Sequence, residues 1–295
     1  AFGASSWSLR PSVLSASVRV PLVSHVIATW ERRRPLLWAD SAVAEPSPAV
    51  LMRHTELMND HAAAADVEDA VTRWGAVTLS ELDGTAVLVL GDGLNTVDGE
   101  WLDGVIDAID RLEGAEQPPA LVTIGSQRAY CTGYDLEFLA GLEQGEVEAE
   151  VERSLDVLAR ILTYPGPTVA ALSGHAFGYG AMLALAHDQR VMRADRGWFC
   201  LPEVDLGLAF QPFQLALIRA RLMPQTAHRA ITTGHRFDAA EALAAGIVEH
   251  IAEPDALKGR ALELAADGAG KAPTIVSTLK RDLYADVLAA PRLGR

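Results

Sequence analysis

Regular alternation of hydrophobic and polar residues begins near residue 71. Residues 76–82 and 86–90 are short runs rich in β-forming side chains, and an Asp-Gly pair separates them. An Asp-Gly pair between two such runs predicts a β-hairpin with a tight turn. Residues 97–112 carry apolar side chains at helical spacing and predict an amphipathic helix. We therefore expect an ordered fold from residue 71 onward.

Strands and helices alternate through the rest of the chain. Compact apolar runs predict buried strands at Ala120–Ile124, Thr168–Leu172 and 189–192. Helical periodicity predicts helices at 136–142, 147–162 and 178–187, and further helices from Pro212 onward. A polar, glycine-containing loop is expected at 125–135. This alternation predicts an α/β fold with a largely parallel sheet.

Residues 1–70 have no clean period and are expected to form a poorly structured extension. An Arg- and Ser-rich, acid-poor start is typical of an organelle transit peptide. The interpretation that we favour is upstream sequence added to the gene, with translation starting at Met52 or Met58. The predicted units are this extension, an α/β core at 71–225 and a C-terminal helical region at 226–295.

Composition narrows the classes of function. The chain has 295 residues, and 49% of them are hydrophobic, which disfavours a disordered chain. Its formal net charge of −14 disfavours a nucleic-acid partner, because an acidic surface repels phosphates. Its two cysteines predict free thiols rather than a disulfide scaffold or a zinc site. We expect a cytoplasmic globular protein that needs no metal and does not associate with membranes.

The most informative stretch is residues 168–207, where a buried strand runs into Gly174, Gly178 and Gly180 and then into a helix. Glycines at such a junction let the chain turn sharply and bring backbone N–H groups close to a ligand. The stretch is not a dinucleotide fingerprint, because Leu183 stands where the last glycine belongs. P-loop and hydrolase-elbow motifs do not occur in the sequence.

A second strand–loop–helix junction follows the strand Ala120–Ile124 and contains Gly133. Two such junctions in one α/β domain can direct backbone N–H groups at a shared point. An oxyanion hole can be built in this way without side chains.

Four segments resemble signatures of the crotonase (enoyl-CoA hydratase/isomerase) superfamily. They are residues 130–136 (YCTGYDL), 173–182 (SGHAFGYGAM), 202–207 (PEVDLG) and 239–248 (AAEALAAGIV). Their order and spacing match, and the resemblance covers roughly residues 75–285. It implies the ClpP/crotonase-like spiral of repeated strand–helix units, with a C-terminal helical region used in trimerisation. A homotrimer or a dimer of trimers is the implied assembly.

The resemblance also implies roles for residues of both loops. The backbone N–H groups of Tyr134 and Tyr179 would form an oxyanion hole for the thioester oxygen of an acyl-CoA. The family often has glycine where Tyr179 stands. No cofactor is implied, because CoA is part of the substrate. The implied substrate- and CoA-binding residues are Tyr130, Thr132, Gly133, Asp135, Gly178 and Gly180.

The number of catalytic glutamates decides which reaction of the family the resemblance implies. Hydratases of the family use two glutamates, whose positions here are Met182 and Glu203. Hydration needs two acid–base groups, whereas one base can take a proton from C2 and return it to C4. The resemblance therefore implies a Δ3,Δ2-enoyl-CoA isomerase of fatty-acid β-oxidation with Glu203 as its base, and residues 186–197 look like the plant peroxisomal type. We expect Met182 to dry the pocket and raise the pKa of Glu203.

Two alternatives stay open. The first is an enoyl-CoA hydratase or another crotonase-type acyl-CoA enzyme, with Asp205 replacing the missing glutamate. The second is a non-catalytic trimer that binds acyl-CoA. Lys280 and Arg281 either meet CoA phosphates or are plain surface charges. Structural roles are expected for four further polar residues near the motifs: Cys131, His175, His187 and Asp188.

Overall fold

The computed structural model describes residues 71–294, so the expectations for residues 1–70 fall outside it. The strands are β1 (Thr72–Trp74), β2 (Val77–Leu82), β3 (Thr85–Val89), β4 (Ala120–Ile124), β5 (Ala129–Cys131), β6 (Thr168–Leu172), β7 (His175–Phe177), β8 (Gln189–Arg193), β9 (Phe199–Cys200) and β10 (His250–Ala252). The first helices are α1 (Gly99–Glu113), α2 (Leu136–Ala140), α3 (Gln144–Leu162), α4 (Tyr179–Ala186) and α5 (Glu203–Leu206). The later helices are α6 (Pro212–Arg221), α7 (Pro224–Thr233), α8 (Ala239–Ala244), α9 (Leu257–Asp267), α10 (Pro273–Leu283) and α11 (Ala285–Ala289).

The strands form two sheets. In the main sheet the order is β1-β2-β3-β4-β6-β8-β10, and every pairing from β3 to β10 is parallel. The strands β1, β2 and β3 pair antiparallel. The second sheet contains β5, β7 and β9 in parallel pairing. The largely parallel α/β architecture expected from the alternating pattern is confirmed.

The predicted hairpin joins β2 to β3. Asp83 and Gly84 both adopt positive φ, at 51° and 75°. Two positive φ values in a two-residue turn match the twist of the flanking strands, which explains why Asp-Gly stands there. Leu82 pairs directly with Thr85 across the turn.

The main sheet is covered on both faces, as parallel strands require. On one face Val122 and Val169 pack with Leu257 and Leu264 of α9. On the other face Leu121 belongs to the larger core that α1, α3 and α4 also form. Successive residues of β4 thus point to opposite sides of the sheet, which explains its uninterrupted apolar sequence.

The second sheet was missed by sequence analysis. Residues 125–135 were expected to be a loop, yet they contain β5, and β7 lies inside the glycine-rich stretch. Strands of three residues are too short to show a period of two, and their pairing depends on partners far along the chain. This small sheet brings the two glycine-containing junctions together.

The C-terminal helices leave apolar side chains exposed. The helix α10 has no buried residue, and Ile275, Leu279 and Leu283 are each more than half exposed along it. Within residues 71–294, no helix combines the length and apolarity needed to cross a bilayer.

Candidate active site

The loop after β5 pairs with the chain at Val97, and this pairing turns the backbone N–H of Tyr134 away from Val97. The N–H of Val97 donates to the carbonyl of Gly133 (2.9 Å), and the N–H of Asp135 donates to the carbonyl of Val97 (2.9 Å). Peptide groups alternate in direction along extended backbone, so the intervening N–H of Tyr134 points to the opposite side. Among the described residues, no backbone group accepts a hydrogen bond from it.

The second junction presents the N–H of Tyr179. The strand β7 ends at Phe177, and Gly178 turns the chain with φ 53° before α4 begins at Tyr179. The first amides of a helix have no partner inside the helix and carry the positive end of its dipole. The two junctions adjoin, because a β-carbon at Gly133 would lie 3.5 Å from the nitrogen of Tyr179. Two backbone donors thus belong to neighbouring loops.

Gly178 and Gly180 serve different purposes. Gly178 supplies a positive φ that other residues rarely adopt. A β-carbon at Gly180 would lie 2.0 Å from the carbonyl oxygen of Cys131, which no rearrangement of one side chain could relieve. Gly180 therefore allows α4 to lie directly on β5 and fixes the distance between the two loops.

Among residues 71–294, one buried carboxylate lies beside these loops. Glu203 begins α5 after Pro202 and is 8% exposed. Its Oε2 atom is buried and has no hydrogen-bond partner among the described residues. Its Oε1 atom faces Gly178, where a β-carbon would lie 3.6 Å away. Burial raises the pKa of Glu203 from 4.5 to about 8, and a hydrogen bond from its own backbone opposes that rise.

At one of the two positions where hydratases of the family have a glutamate, this chain has the apolar residue Met182. Met182 lies one turn into α4, its N–H donates to the carbonyl of Gly178 (3.1 Å), and it is 1% exposed. Every residue of α4 is buried. Burial is the dominant cause of the raised pKa of Glu203, and the contribution of Met182 to that burial stays a prediction.

Asp205, the candidate for a second acid, lies against Gly234 and not against Gly178. Its carboxylate lies against Gly234 at the end of α7, where a β-carbon would come within 2.5 Å of Oδ2. It does not contribute to the raised pKa of Glu203. Of the two acids considered from the sequence, only Glu203 borders the glycine-rich loop.

Three residues expected to bind CoA make hydrogen bonds that hold the first loop in shape. The side chain of Tyr130 is fully buried, and its hydroxyl lies 2.7 Å from Oγ1 of Thr123, so the side chain points into the core; its place along CoA stays a prediction. The hydroxyl of Thr132 donates to the carbonyl of Leu94 (3.0 Å). Asp135 caps α2 by accepting from two backbone N–H groups, at 2.9 and 3.0 Å. Spacing in the sequence cannot show which way these side chains turn.

Asn95 supports the same loop and was not singled out from the sequence. Its Nδ2 donates to the carbonyls of Ala129 (2.9 Å) and Tyr130 (3.0 Å), and its Oδ1 accepts from the N–H of Gly93 (3.2 Å). Its φ of 54° is a conformation that asparagine tolerates better than most residues. An asparagine two residues after Gly93, in a segment that also contains Gly91, was the available signal.

Ser154 was also missed, although it meets both loops. The hydroxyl of Tyr134 lies 2.7 Å from Oγ of Ser154, and the hydroxyl of Tyr179 donates to the carbonyl of Ser154 (2.9 Å). The two tyrosine rings contact each other at a centroid distance of 5.3 Å. Nothing in the sequence connects Ser154 to Tyr134, 20 positions before it, or to Tyr179, 25 positions after it.

The remaining polar candidates have structural environments. Cys131 is buried, and burial raises the pKa of its thiol to about 12, which argues for packing. His187 is buried between Oγ1 of Thr123 (2.9 Å) and the carbonyl of Leu183 (2.8 Å). The ring of His175 stacks on Trp198 at 5.0 Å.

Lys280 fits neither expected role, because it pairs inside the fold. Its Nζ lies 2.7 Å from Oδ2 of Asp188 and donates to the carbonyl of Gly166 (2.9 Å). Arg281 bonds instead to Ser277 on its own helix. In the part of the chain that the structure describes, no three His, Cys, Asp or Glu side chains are grouped closely enough to hold a metal ion.

Comparisons with known proteins identify the family of the chain. Residues 84–292 match the model of the family described as "Enoyl-CoA hydratase/isomerase". A relative from Arabidopsis thaliana, "Enoyl-CoA delta isomerase 2, peroxisomal", is 32% identical over 169 residues, which are 55% of this chain and 70% of the relative.

Solved structures give the same result. An apo structure of an enoyl-CoA isomerase from Mycobacterium tuberculosis is 28% identical with a TM-score of 0.67, covering 73% of this chain and 93% of the other. An enoyl-CoA hydratase structure from Mycobacterium marinum is 28% identical with a TM-score of 0.67, covering 73% and 94%. The chain belongs to the enoyl-CoA hydratase/isomerase family and has the crotonase fold.

Proposed function

We propose that the chain is a Δ3,Δ2-enoyl-CoA isomerase that uses Glu203 as its single acid–base group. The observation that carries the proposal is one buried carboxylate facing Gly178, in a chain that has a buried, apolar Met182 where hydratases of the family have their other glutamate. A double-bond shift needs one proton carrier, whereas hydration needs a second group to activate water. The side chains present therefore fit the first reaction better than the second.

The proposed reaction moves one proton. The carboxylate of Glu203 takes a proton from C2 of a 3-enoyl thioester. The electron pair of that C–H bond delocalises onto the thioester oxygen on one side and, through the C3–C4 double bond, onto C4 on the other. The N–H groups of Tyr134 and Tyr179 stabilise the resulting dienolate. The neutral Glu203 then returns its proton to C4, leaving a double bond between C2 and C3. Atoms and charge balance without a cofactor.

The backbone donors and the base have complementary tasks. A thioester α-proton is weakly acidic, so the anion must be stabilised as the proton leaves. One oxyanion donor typically contributes ~2.7–4 kcal/mol to lowering such a barrier. A carboxyl with a pKa of about 8 is a stronger base than an exposed glutamate once it is ionised. Burial therefore prepares Glu203 for proton transfer in both directions.

The relatives support both the leading proposal and its main alternative. The Arabidopsis relative is named an enoyl-CoA delta isomerase, while the Mycobacterium marinum structure is described as an enoyl-CoA hydratase. Hydration is the second candidate, and the apolar Met182 argues against it. A non-catalytic acyl-CoA-binding trimer is the third. The homotrimer or dimer of trimers itself stays a prediction, which sedimentation equilibrium would measure.

A paired turnover assay tests the proposed reaction. Purified protein is given 3-hexenoyl-CoA in one cuvette and 2-hexenoyl-CoA in the other, and the conjugated enoyl-thioester absorbance is followed in both. We expect a rise in the first and little loss in the second. Rapid loss in the second would instead support hydration, and no change in either would support a binding role.

A further inference from the structure

The side chains of both proposed oxyanion residues end at the same place. Tyr134 and Tyr179 carry the two backbone donors on separate loops, yet their hydroxyls meet Oγ and the carbonyl of Ser154, at 2.7 and 2.9 Å. Ser154 is 0% exposed in the middle of α3. One residue on a third element therefore connects the two loops.

The direction of each hydrogen bond follows from the donors available. The hydroxyl of Ser154 donates to the carbonyl of Val151 (2.7 Å), so its single hydrogen is used within α3. The hydroxyl of Tyr134 is then the donor to Ser154, and that of Tyr179 donates to the carbonyl. Burial raises the pKa of both phenols above 10.0, which keeps them protonated.

The helix α3, which carries Ser154, is held to the rest of the fold by several interactions. A capping box formed by Glu143 and Glu146 starts α3. Arg160, near its end, forms ion pairs at 2.7 Å with both Asp110 and Glu113 of α1. The hydrogen bonds from Tyr134 and Tyr179 to Ser154 therefore connect the two loops to the helical core of the fold and not to another loop.

We propose that Ser154 is a positioning residue that sets the directions of the two oxyanion N–H groups through the tyrosine side chains. The inference rests on the proposed oxyanion role of Tyr134 and Tyr179. Each ring is a rigid link between its backbone and α3, so the hydrogen bond at the hydroxyl limits rotation of the loop. Small misplacements of catalytic groups are costly, because a 1 Å error can reduce a rate by about 100-fold.

The matched substitutions are Ser154→Thr and Ser154→Val. Threonine and valine have nearly the same shape and share any cost of an added methyl group, but only threonine keeps the hydroxyl. We expect Ser154→Val to show a kcat roughly tenfold below that of Ser154→Thr, with similar KM, because oxyanion donors act mainly on the transition state. Equal kcat values for the two variants would overturn the proposal.

A spectroscopic measurement separates this inference from the identity of the reaction. The infrared stretching frequency of an isotope-labelled thioester carbonyl in bound hexanoyl-CoA falls when hydrogen bonds polarise it. We expect Ser154→Thr to keep the lowered frequency of the wild type and Ser154→Val to lose roughly half of that lowering. Wild-type protein that lowers the frequency but does not isomerise 3-hexenoyl-CoA would defeat the proposed function and leave Ser154 testable. No lowering in the wild type would overturn both.

Two further variants guard against a purely structural effect. Tyr134→Phe removes the same hydrogen bond from its other end, so Ser154→Val combined with Tyr134→Phe should lower kcat no further than either alone. Thr163→Val removes a buried hydroxyl that bonds to the carbonyl of Ala159 (2.9 Å), at the end of α3. It should lower stability without changing kcat. Additive losses in the double variant, or an equal kcat loss in Thr163→Val, would contradict the proposal.

Discussion

Oε1 of Glu203 faces Gly178 closely enough that a β-carbon on that glycine would lie 3.6 Å from it. Gly178 immediately precedes Tyr179, whose N–H is one of the two proposed oxyanion donors. The base and the donor thus come from different elements, α5 and the junction of β7 with α4, but border the same glycine. Proton transfer at C2 and charge stabilisation on the adjacent carbonyl need this proximity.

The raised pKa of Glu203 predicts a pH dependence of turnover. The carboxylate is the active form of a base, and the free protein loses it as pH falls below about 8. We expect kcat/KM on 3-hexenoyl-CoA to rise with pH and level off above about 8, falling about tenfold per pH unit well below it. Rates measured between about pH 6 and about pH 10 test this. A flat profile across that interval would show that another group carries the proton.

The same pKa predicts that Glu203 costs stability at high pH. Its pKa is raised from 4.5 to about 8 in the folded state, so the stability it allows is fully present below 4.5 and is lost as pH rises through 8. Glu203→Gln has no charge to bury. We expect it to be more stable than the wild type at about pH 9 by a few kcal/mol, with the difference shrinking below pH 4.5.

Urea unfolding at both pH values measures this difference. Asp205→Asn is the control, because Asp205 neighbours Glu203 in sequence but lies against Gly234. It should show no comparable gain at high pH. A Glu203→Gln variant whose stability differs from the wild type equally at both pH values would refute burial as the cause of the pKa.

Gly180→Ala should damage the junction between α4 and β5. Its β-carbon would meet the carbonyl oxygen of Cys131 at 2.0 Å, so one of the two elements must move. We expect a loss of roughly 1–3 kcal/mol or more in unfolding free energy, together with loss of turnover. Gly259→Ala, at an open and exposed position within α9, should raise stability by about 0.4–1 kcal/mol. Thermal unfolding of both variants compares them, and similar effects would contradict the packing argument.

Met182→Glu should restore part of a hydratase site. A second carboxylate on α4 would supply the group that hydration of 2-hexenoyl-CoA needs. We expect hydration to rise at least roughly tenfold over the wild type. Met182→Gln has the same shape without a charge and should not show the gain. Equal hydration by the two variants would mean that the identity of residue 182 does not decide between the reactions.

Hydrophobic periodicity in the sequence predicted most of the helices and strands. The strands at Ala120–Ile124 and Thr168–Leu172 and the positive-φ turn at Asp83 follow from local pattern and turn chemistry. The three-residue strands β5 and β7 were not visible, because their pairing is with distant segments and they are too short to alternate. Family resemblance, not periodicity, singled out Glu203.

The sequence did not predict the directions of the side chains in the site. The motif that contains Tyr130 suggested a ligand contact, but the side chain turns into the core toward Thr123. Lys280 pairs with Asp188, 92 positions away, and neither residue carries a mark of that pairing. Contacts of this kind depend on packing of the whole fold, which local propensity does not encode.

Turnover of 3-hexenoyl-CoA by Glu203→Gln and Asp205→Asn, measured beside the wild type, tests the single-base mechanism most directly. The amide of Glu203→Gln cannot shuttle the proton, so kcat should fall by about 10²–10⁴-fold, while Asp205→Asn should keep a kcat close to that of the wild type. Near wild-type turnover by Glu203→Gln, or an equal loss in Asp205→Asn, would contradict the assignment of Glu203 as the one base.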